Sequence, residues 1–296
     1  MSRIAVIGAN GQLGRYLIRV FQESGKNEVV PFTHRGIEVA NPKTIEHALS
    51  AQTFDLVINT AAAHGQDTEI ELEKTFAVNA LGPKYLATYC EKARMDLVHF
   101  STDYVFRGNQ WRPYTENDCP EPVNAYGISK LAGELFIKSM MSRFYIVRVS
   151  ALYGIGGCRA KNNSNFVEVI LRKASLGETI QVVEDQHVTP TYALDVAETL
   201  LALVQTRRYG VYHMTNGGAC SWYDFAKEIA RLAGMEADFL PIKTAASVSD
   251  SKRPMYSVLE NRNLRAAGIR DLRPWPEALA AYFKERGTTV QRNSLP

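Results

Sequence analysis

The stretch "RIAVIGANGQLGRYLIRVFQES" takes the chain from a short apolar run straight through three glycines into an amphipathic segment. A plain strand-to-helix turn rarely calls for three glycines. Gly8, Gly11 and Gly14 match three separate needs of a dinucleotide site. One glycine allows the turn, one lets backbone N–H groups approach a pyrophosphate, and one lets the helix pack closely on the sheet. The flanking strand and helix are the context that turns a weak glycine triplet into a specific signal. Asn10, Gln12 and Leu13, lying between the glycines, are assigned with them to cofactor contact.

The rest of the first half keeps the same rhythm. "EVVPF", "DLVINTAA", "LVHFST" and "FYIVRVS" read as strands, and "PKTIEHALSA", "ELEKTFAVNALGPKYLATYCEKA" and the segment around Tyr126 read as helices. Pro42 can open its helix at the first turn, and Gly82-Pro83 should kink the long one. Strands alternating with helices imply a parallel, doubly wound α/β sheet of Rossmann type. After residue 150 the rhythm breaks at the polar connection "GIGGCRAKNNSN", and shorter elements such as "FVEVILRKASL", "IQVVE", "ALDVAETLLALVQ" and "GVYHM" follow. Residues 1–153, with returning segments near 194–214, are therefore assigned to the dinucleotide-binding domain. Residues 154–193 and 215–296 are assigned to a smaller substrate-binding lobe.

Composition excludes several other classes. A net charge of +3 over 296 residues, with no basic run, gives no reason to expect nucleic acid. No apolar run approaches the ~18 residues of a membrane span, and no leader precedes the first strand, so a cytoplasmic protein is expected. Cys90, Cys119, Cys158 and Cys220 are scattered and read as free thiols. The six histidines show no ligand spacing, and no metal is assigned.

The strand ends carry the chemistry. The second is followed by "THRGIE", where Arg35 would favour the 2′-phosphate of NADPH and Glu38 would accept from the ribose of NADH. Arg35 lies nearer the strand end, so NADPH is preferred and NADH stays open. Ala61, Ala62 and Ala63 close the third strand with side chains small enough for a cofactor to pass. "FSTDYVF" puts Thr102 and Asp103 at the carboxyl edge of the sheet, with Val105 just beyond; this is the edge where open parallel sheets bind ligands. Tyr126 and Lys130 stand four apart in "YGISK", on one face of a helix. A tyrosine is a poor acid, with a reference pKa of about 10, and a neighbouring cation favours its phenolate. Carbonyl reduction needs a hydride on carbon and a proton on oxygen. Tyr126 is read as the proton donor, Lys130 as its cation and a partner of the nicotinamide ribose, and Thr102 as a hydroxyl for the carbonyl oxygen.

The G-x-x-G-x-x-G spacing resembles the extended short-chain dehydrogenase/reductase superfamily. "STDYVF", "PYTENDCPEPVNAYGISKLAGE", "VVEDQHVTPTYALDVA" and "RPMYSVLEN" resemble the dTDP-4-dehydrorhamnose reductase family nearly end to end. That resemblance implies NAD(P)H-dependent reduction of a 4-keto-6-deoxy sugar on a nucleotide, with Thr102, Tyr126 and Lys130 catalytic. It also implies Asn79 beside the cofactor, and Asp103, Val105, Asn165 and Arg253 on the substrate side. A homodimer is compatible with it. Two positions depart from the family: Ala63-His64 replaces a Tyr-Thr pair, and Ala151 replaces a tryptophan. Both lie on the expected substrate side. A nucleotide-sugar 4-epimerase, a reductase of another keto-sugar and a non-catalytic regulatory subunit of this fold stay open as alternatives. A 4,6-dehydratase would carry Asp-Glu where this chain has Asp103-Tyr104.

Overall fold

In the computed structural model, residues 1–156, 164–246 and 252–293 are described. The middle of the Gly-rich connection, with Cys158, lies outside them.

The first strand, β1 (Ser2–Ile7), shows why the sheet is covered on both sides. Ile4 and Val6 join one apolar cluster, whereas Ala5 and Ile7 join another. This is the period-two alternation of a strand buried on two faces. Helix α1 (Gln12–Glu23) lays Leu13, Tyr16, Leu17, Val20 and Phe21 into the first cluster, at the three- and four-residue spacing of one helical face. There follow β2 (Asn27–Phe32), α2 (Pro42–Ser50) and β3 (Leu56–Asn59). Asn41 caps α2 by accepting from the Lys43 N–H, and Pro42 opens the helix where no N–H is needed.

The expected kink at Gly82-Pro83 takes the form of a widened helical turn. Helix α3 (Leu72–Phe76) runs into a π-helical turn over Ala77–Leu81 and then into α4 (Gly82–Ala93). Pro83 has no N–H to give the Asn79 carbonyl, so the regular ladder cannot pass this point. Asn79 itself is turned fully inward.

Strand β4 (Asp96–Thr102), helix α5 (Ala125–Met140) and strand β5 (Phe144–Val149) complete the first half. Beyond them, β6 (Leu152–Tyr153) pairs with β9 (Thr191–Tyr192). Helix α6 (Phe166–Ser175) leads to β7 (Ile180–Val183) and β8 (His187–Val188). Helix α7 (Ala193–Gln205) packs against α1, and β10 (Gly210–His213) pairs with β5. The chain then forms β11 (Cys220–Ser221), α8 (Trp222–Ala233), β12 (Phe239–Ile242), α9 (Arg262–Ala266) and α10 (Trp275–Asn293).

The main sheet has the order β10-β5-β4-β3-β1-β2, and every pairing in it is parallel. Chain order reverses between β1 and β3, and the carboxyl ends at such a switch point form the crevice of this fold class. Cys90 and Cys220 are buried free thiols and Cys119 is an exposed one. Among the described residues, no helix is long and apolar enough to cross a membrane.

Candidate active site

The glycine turn lies at that crevice. Gly8 has φ of +82°, in the left-handed region, and a Cβ there would sit 2.4 Å from Thr60 Oγ1. A Cβ on Gly14 would lie 2.3 Å from the Gly8 carbonyl oxygen, so only glycine lets α1 approach the turn this closely. The helix starts at Gly11 with no capping side chain and no acidic residue in its first turn. Its leading N–H groups and positive dipole end lie at the crevice with no acidic side chain in the first turn to occupy them, a cradle suited to a pyrophosphate. Among the residues between the glycines, Gln12 and Leu13 are largely buried. Gln12 Oε1 accepts from Asn165 Nδ2 at 3.3 Å.

At the end of β2 the two charges differ in their commitments. The Glu38 carboxylate takes His34 Nδ1 at 2.9 Å and the Ala40 N–H at 3.2 Å, whereas Arg35 is exposed. Glu38 is thus turned toward its own loop. Beyond β3, Asn79 braces the Ala61–Ala63 segment. Its Oδ1 accepts from the Ala63 N–H at 2.9 Å, and its Nδ2 donates to the Ala63 carbonyl at 2.8 Å and to Ser129 Oγ at 3.1 Å. The amide of Asn79 is therefore committed to the protein, and it fixes the path that a cofactor would follow.

Tyr126 stands in the first turn of α5, whose start is held twice. Asn124 accepts from the Gly127 N–H at 2.8 Å, and the Glu69 carboxylate accepts from the Ala125 and Tyr126 N–H groups at 3.1 and 3.2 Å. An anion at a helix N-terminus is favourable in this position. Glu69 arrives from a short turn after β3, so it ties the Tyr126 backbone to the cofactor side. A Cβ on Gly127 would meet the Tyr104 carbonyl at 2.2 Å, which explains the glycine in "YGISK". The Tyr104 and Tyr126 rings meet edge to face at 5.7 Å. Burial pushes the Tyr104 phenol up to about 12, opposed by the nearby Arg253 cation. Arg253 is exposed and approaches this pair in a segment whose Lys252 carbonyl accepts from Asn124 Nδ2 at 2.8 Å.

One turn further on, Lys130 is 2% exposed. Its Nζ donates to the Phe100 carbonyl at 2.6 Å and lies 3.3 Å from His99 Nε2. On the far side of that ring, His99 Nδ1 lies 3.1 Å from Asn59 Nδ2. Burial pushes Lys130 down to about 8, and burial with the adjacent Lys130 charge pushes His99 well below its ordinary value.

The Thr102 hydroxyl donates to Asp103 Oδ1 at 3.0 Å and accepts from the Tyr104 N–H at 3.2 Å. Ser150 donates to Asp103 Oδ2 at 3.0 Å. Burial raises Asp103 to about 6, against hydrogen bonds from Ser257, Ser150 and Thr102 that favour the carboxylate. A value raised in the fold means that the group's contribution is complete below 3.8 and lost as pH climbs to about 6. Ionised Asp103 then weakens the fold by on the order of 3 kcal/mol. We predict that Asp103→Asn shows a Tm difference from the native chain that grows in the mutant's favour between pH 4 and pH 6 and levels off above. A difference independent of pH would contradict this ionisation.

Val105 is fully buried in a small apolar cluster with Phe106, Tyr114 and Leu259 beneath this edge. Asn165 is also buried. Its Oδ1 caps α6 at the Glu168 N–H (3.1 Å), and its Nδ2 donates to the Gly154 carbonyl at 2.9 Å. Those contacts put Asn165 beside the glycine turn, whereas Arg253 sits beside Tyr104. Ala151, one of the two departures, has φ of +43°, an uncommon conformation for alanine.

Sequence reading missed Glu69, Asn59 and His99. His99 stands two residues before Ser101 on an apolar strand buried on both faces, so a buried ring there could have been expected from the strand alone. Nothing in the sequence marks Glu69.

A family model described as the RmlD substrate binding domain matches residues 2–287. The spore coat polysaccharide biosynthesis protein SpsK of Bacillus subtilis (strain 168) is 38% identical over 289 residues, covering 97% of this chain and 99% of that protein. A dTDP-4-dehydrorhamnose reductase of Streptomyces griseus is 36% identical, covering 95% of this chain and 93% of that one. Among solved structures, a dTDP-4-dehydrorhamnose reductase from Bacillus anthracis str. Ames in complex with NADP superposes with a TM-score of 0.91. The two chains are 34% identical, with 96% of this chain and 99% of that one covered.

Proposed function

We propose that this chain, which belongs to the dTDP-4-dehydrorhamnose reductase family, uses NADPH to reduce dTDP-4-dehydrorhamnose to dTDP-L-rhamnose. At the coarser level it is an NAD(P)H-dependent oxidoreductase of nucleotide sugars. The observation that carries the finer reading is the placement of Tyr126 and Lys130 on successive turns of α5. There Lys130 is buried against the strand that ends at Thr102.

NADPH, when bound at this crevice, would supply the hydride that C4 of the sugar takes up. The C=O electron pair moves to oxygen, and Tyr126 gives its phenol proton to that oxygen, leaving a hydroxyl. Thr102 donates a hydrogen bond to the same oxygen as charge develops, its hydroxyl turning away from Asp103. The uncapped start of α1 takes the cofactor pyrophosphate, and Asn79 keeps Ala61–Ala63 against the cofactor's path. Arg253 offers a guanidinium fork to the diphosphate of the sugar nucleotide. Residues 1–153 with 194–214 form the cofactor half and the remainder the substrate lobe.

The test is NADPH oxidation, followed at its absorbance band, with dTDP-4-keto-6-deoxy-L-lyxo-hexose. Turnover supports the assignment, and turnover only with another keto-sugar transfers it to that substrate, with Ala63 and Ala151 as the positions to change. Cofactor choice has its own prediction. Arg35→Ala is expected to weaken NADPH about tenfold or more, the worth of a charge-assisted phosphate contact, while NADH affinity holds. Equal weakening of both cofactors would remove Arg35 from the 2′-phosphate site.

A further inference from the structure

The hydrogen-bond chain beneath Tyr126 has a direction. The Ala61 N–H can only donate, and it meets Asn59 Oδ1 at 3.1 Å. This fixes the amide, so Asn59 Nδ2 is the atom that faces His99 Nδ1 at 3.1 Å. An amide nitrogen has no acceptor capacity, so Nδ1 must be the bare nitrogen of the ring. His99 is buried, which disfavours the imidazolium, and a neutral imidazole with a bare Nδ1 carries its proton on Nε2. That N–H points at Lys130 Nζ, 3.3 Å away. An ammonium has three donors and no acceptor, so two donors would face each other in a dry site. An amine satisfies every contact: its lone pair takes the His99 Nε2–H, and one of its hydrogens goes to the Phe100 carbonyl.

We infer that Asn59 and His99 oppose protonation of Lys130 in the cofactor-free protein and so bring its amine form within reach at a lower pH than an ordinary lysine allows, making them positioning residues for the proton of the reaction. This rests on the reading of Lys130 as the partner of Tyr126. The cation expected beside the tyrosine is therefore held at a cost and gives way to the amine as pH rises. The ammonium favours the phenolate and the amine favours the phenol that a reduction consumes, so the His99 contact sets the pH at which one gives way to the other. Burial of Lys130 works in the same direction as the His99 N–H. On its own helix Tyr126 stands one turn before it and Glu134 one turn beyond, and Glu134 pairs with Arg148 of β5. The charge of Glu134 favours the ammonium, but its carboxylate is bound to Arg148 at 2.6 Å.

Asn59→Asp reverses the chain with almost no change of shape. One carboxylate oxygen keeps the Ala61 N–H while the other accepts from His99 Nδ1–H, which frees Nε2 to accept from an ammonium. Two readouts need no substrate. Imidazole 15N–1H correlation spectra of the native protein should show His99 in the Nε2–H form, and Asn59→Asp should switch it to Nδ1–H. In protein carrying 13C-labelled lysine, with Lys130→Arg identifying the resonance, Lys130 should titrate at or below pH 8. Asn59→Asp should raise that midpoint by about one pH unit or more. A native His99 in the Nδ1–H or doubly protonated form would overturn the inference. So would a native Lys130 that titrates in the ordinary lysine range. Both results are independent of whether the keto-sugar assay succeeds, so the two readings fail separately.

Discussion

Tyr126→Phe is expected to slow keto-sugar reduction about 10²- to 10⁴-fold, the usual worth of a positioned general acid. NADPH affinity should stay close to that of the native protein. The change removes one oxygen from a side chain whose backbone is held by Glu69 and whose ring rests edge-on against Tyr104, so α5 and the glycine turn keep their places. Loss in kcat with cofactor binding intact identifies a group that acts on the reacting oxygen and not on the binding of the dinucleotide. Single-turnover hydride transfer, measured at saturating NADPH, separates this step from product release. Native-like turnover in that variant would move the proton to another group, and Thr102 would be the next to replace.

What the sequence revealed of this site and what it hid differ in one physical respect. The glycine turn, the Tyr126–Lys130 spacing and the Pro83 interruption are local. A turn needing positive φ, a helical repeat and a missing N–H are each set within a few residues, and each is visible in the order of the letters. The bracing of the site is not local. Glu69 reaches Tyr126 across 57 residues, and Asn59 reaches His99 across 40. The second pair meets only when β3 and β4 are laid side by side, and the first only when the turn after β3 reaches the start of α5; no spacing rule predicts either meeting. Asn165 illustrates the converse. The family resemblance implies a ligand contact for it, while the folded chain uses its amide to start α6. Its polar atoms fill needs that the backbone creates at that helix end.

The same reasoning predicts a large effect at a residue that no motif marks. Arg148 on β5 and Glu134 on α5 are 3% and 1% exposed. Arg148 Nε and Nη2 meet the two carboxylate oxygens at 2.9 and 2.6 Å, and Ser101 donates to Oε1 at 2.5 Å. The guanidinium also lies 5.1 Å over the Phe106 ring. Arg148→Met fills much of the volume but leaves Glu134 as a lone buried carboxylate. Breaking such a pair from one side is expected to destabilise the protein by about 3–5 kcal/mol, read from urea unfolding at pH 7. A lone carboxylate in this site has its folded value raised above the unfolded one of about 4.3, so its contribution is lost as pH rises. The deficit should therefore shrink as pH is lowered toward 5. Adding Glu134→Gln should recover a large part of the loss at pH 7, because no buried charge is then left over. A double variant no more stable than Arg148→Met would show that lost packing, not the stranded charge, sets the effect. Because Glu134 lies one turn beyond Lys130, the charge pair also ties the catalytic face of α5 to the sheet. Arg148→Met should accordingly lose turnover under conditions in which it is still folded, and the double variant should regain it.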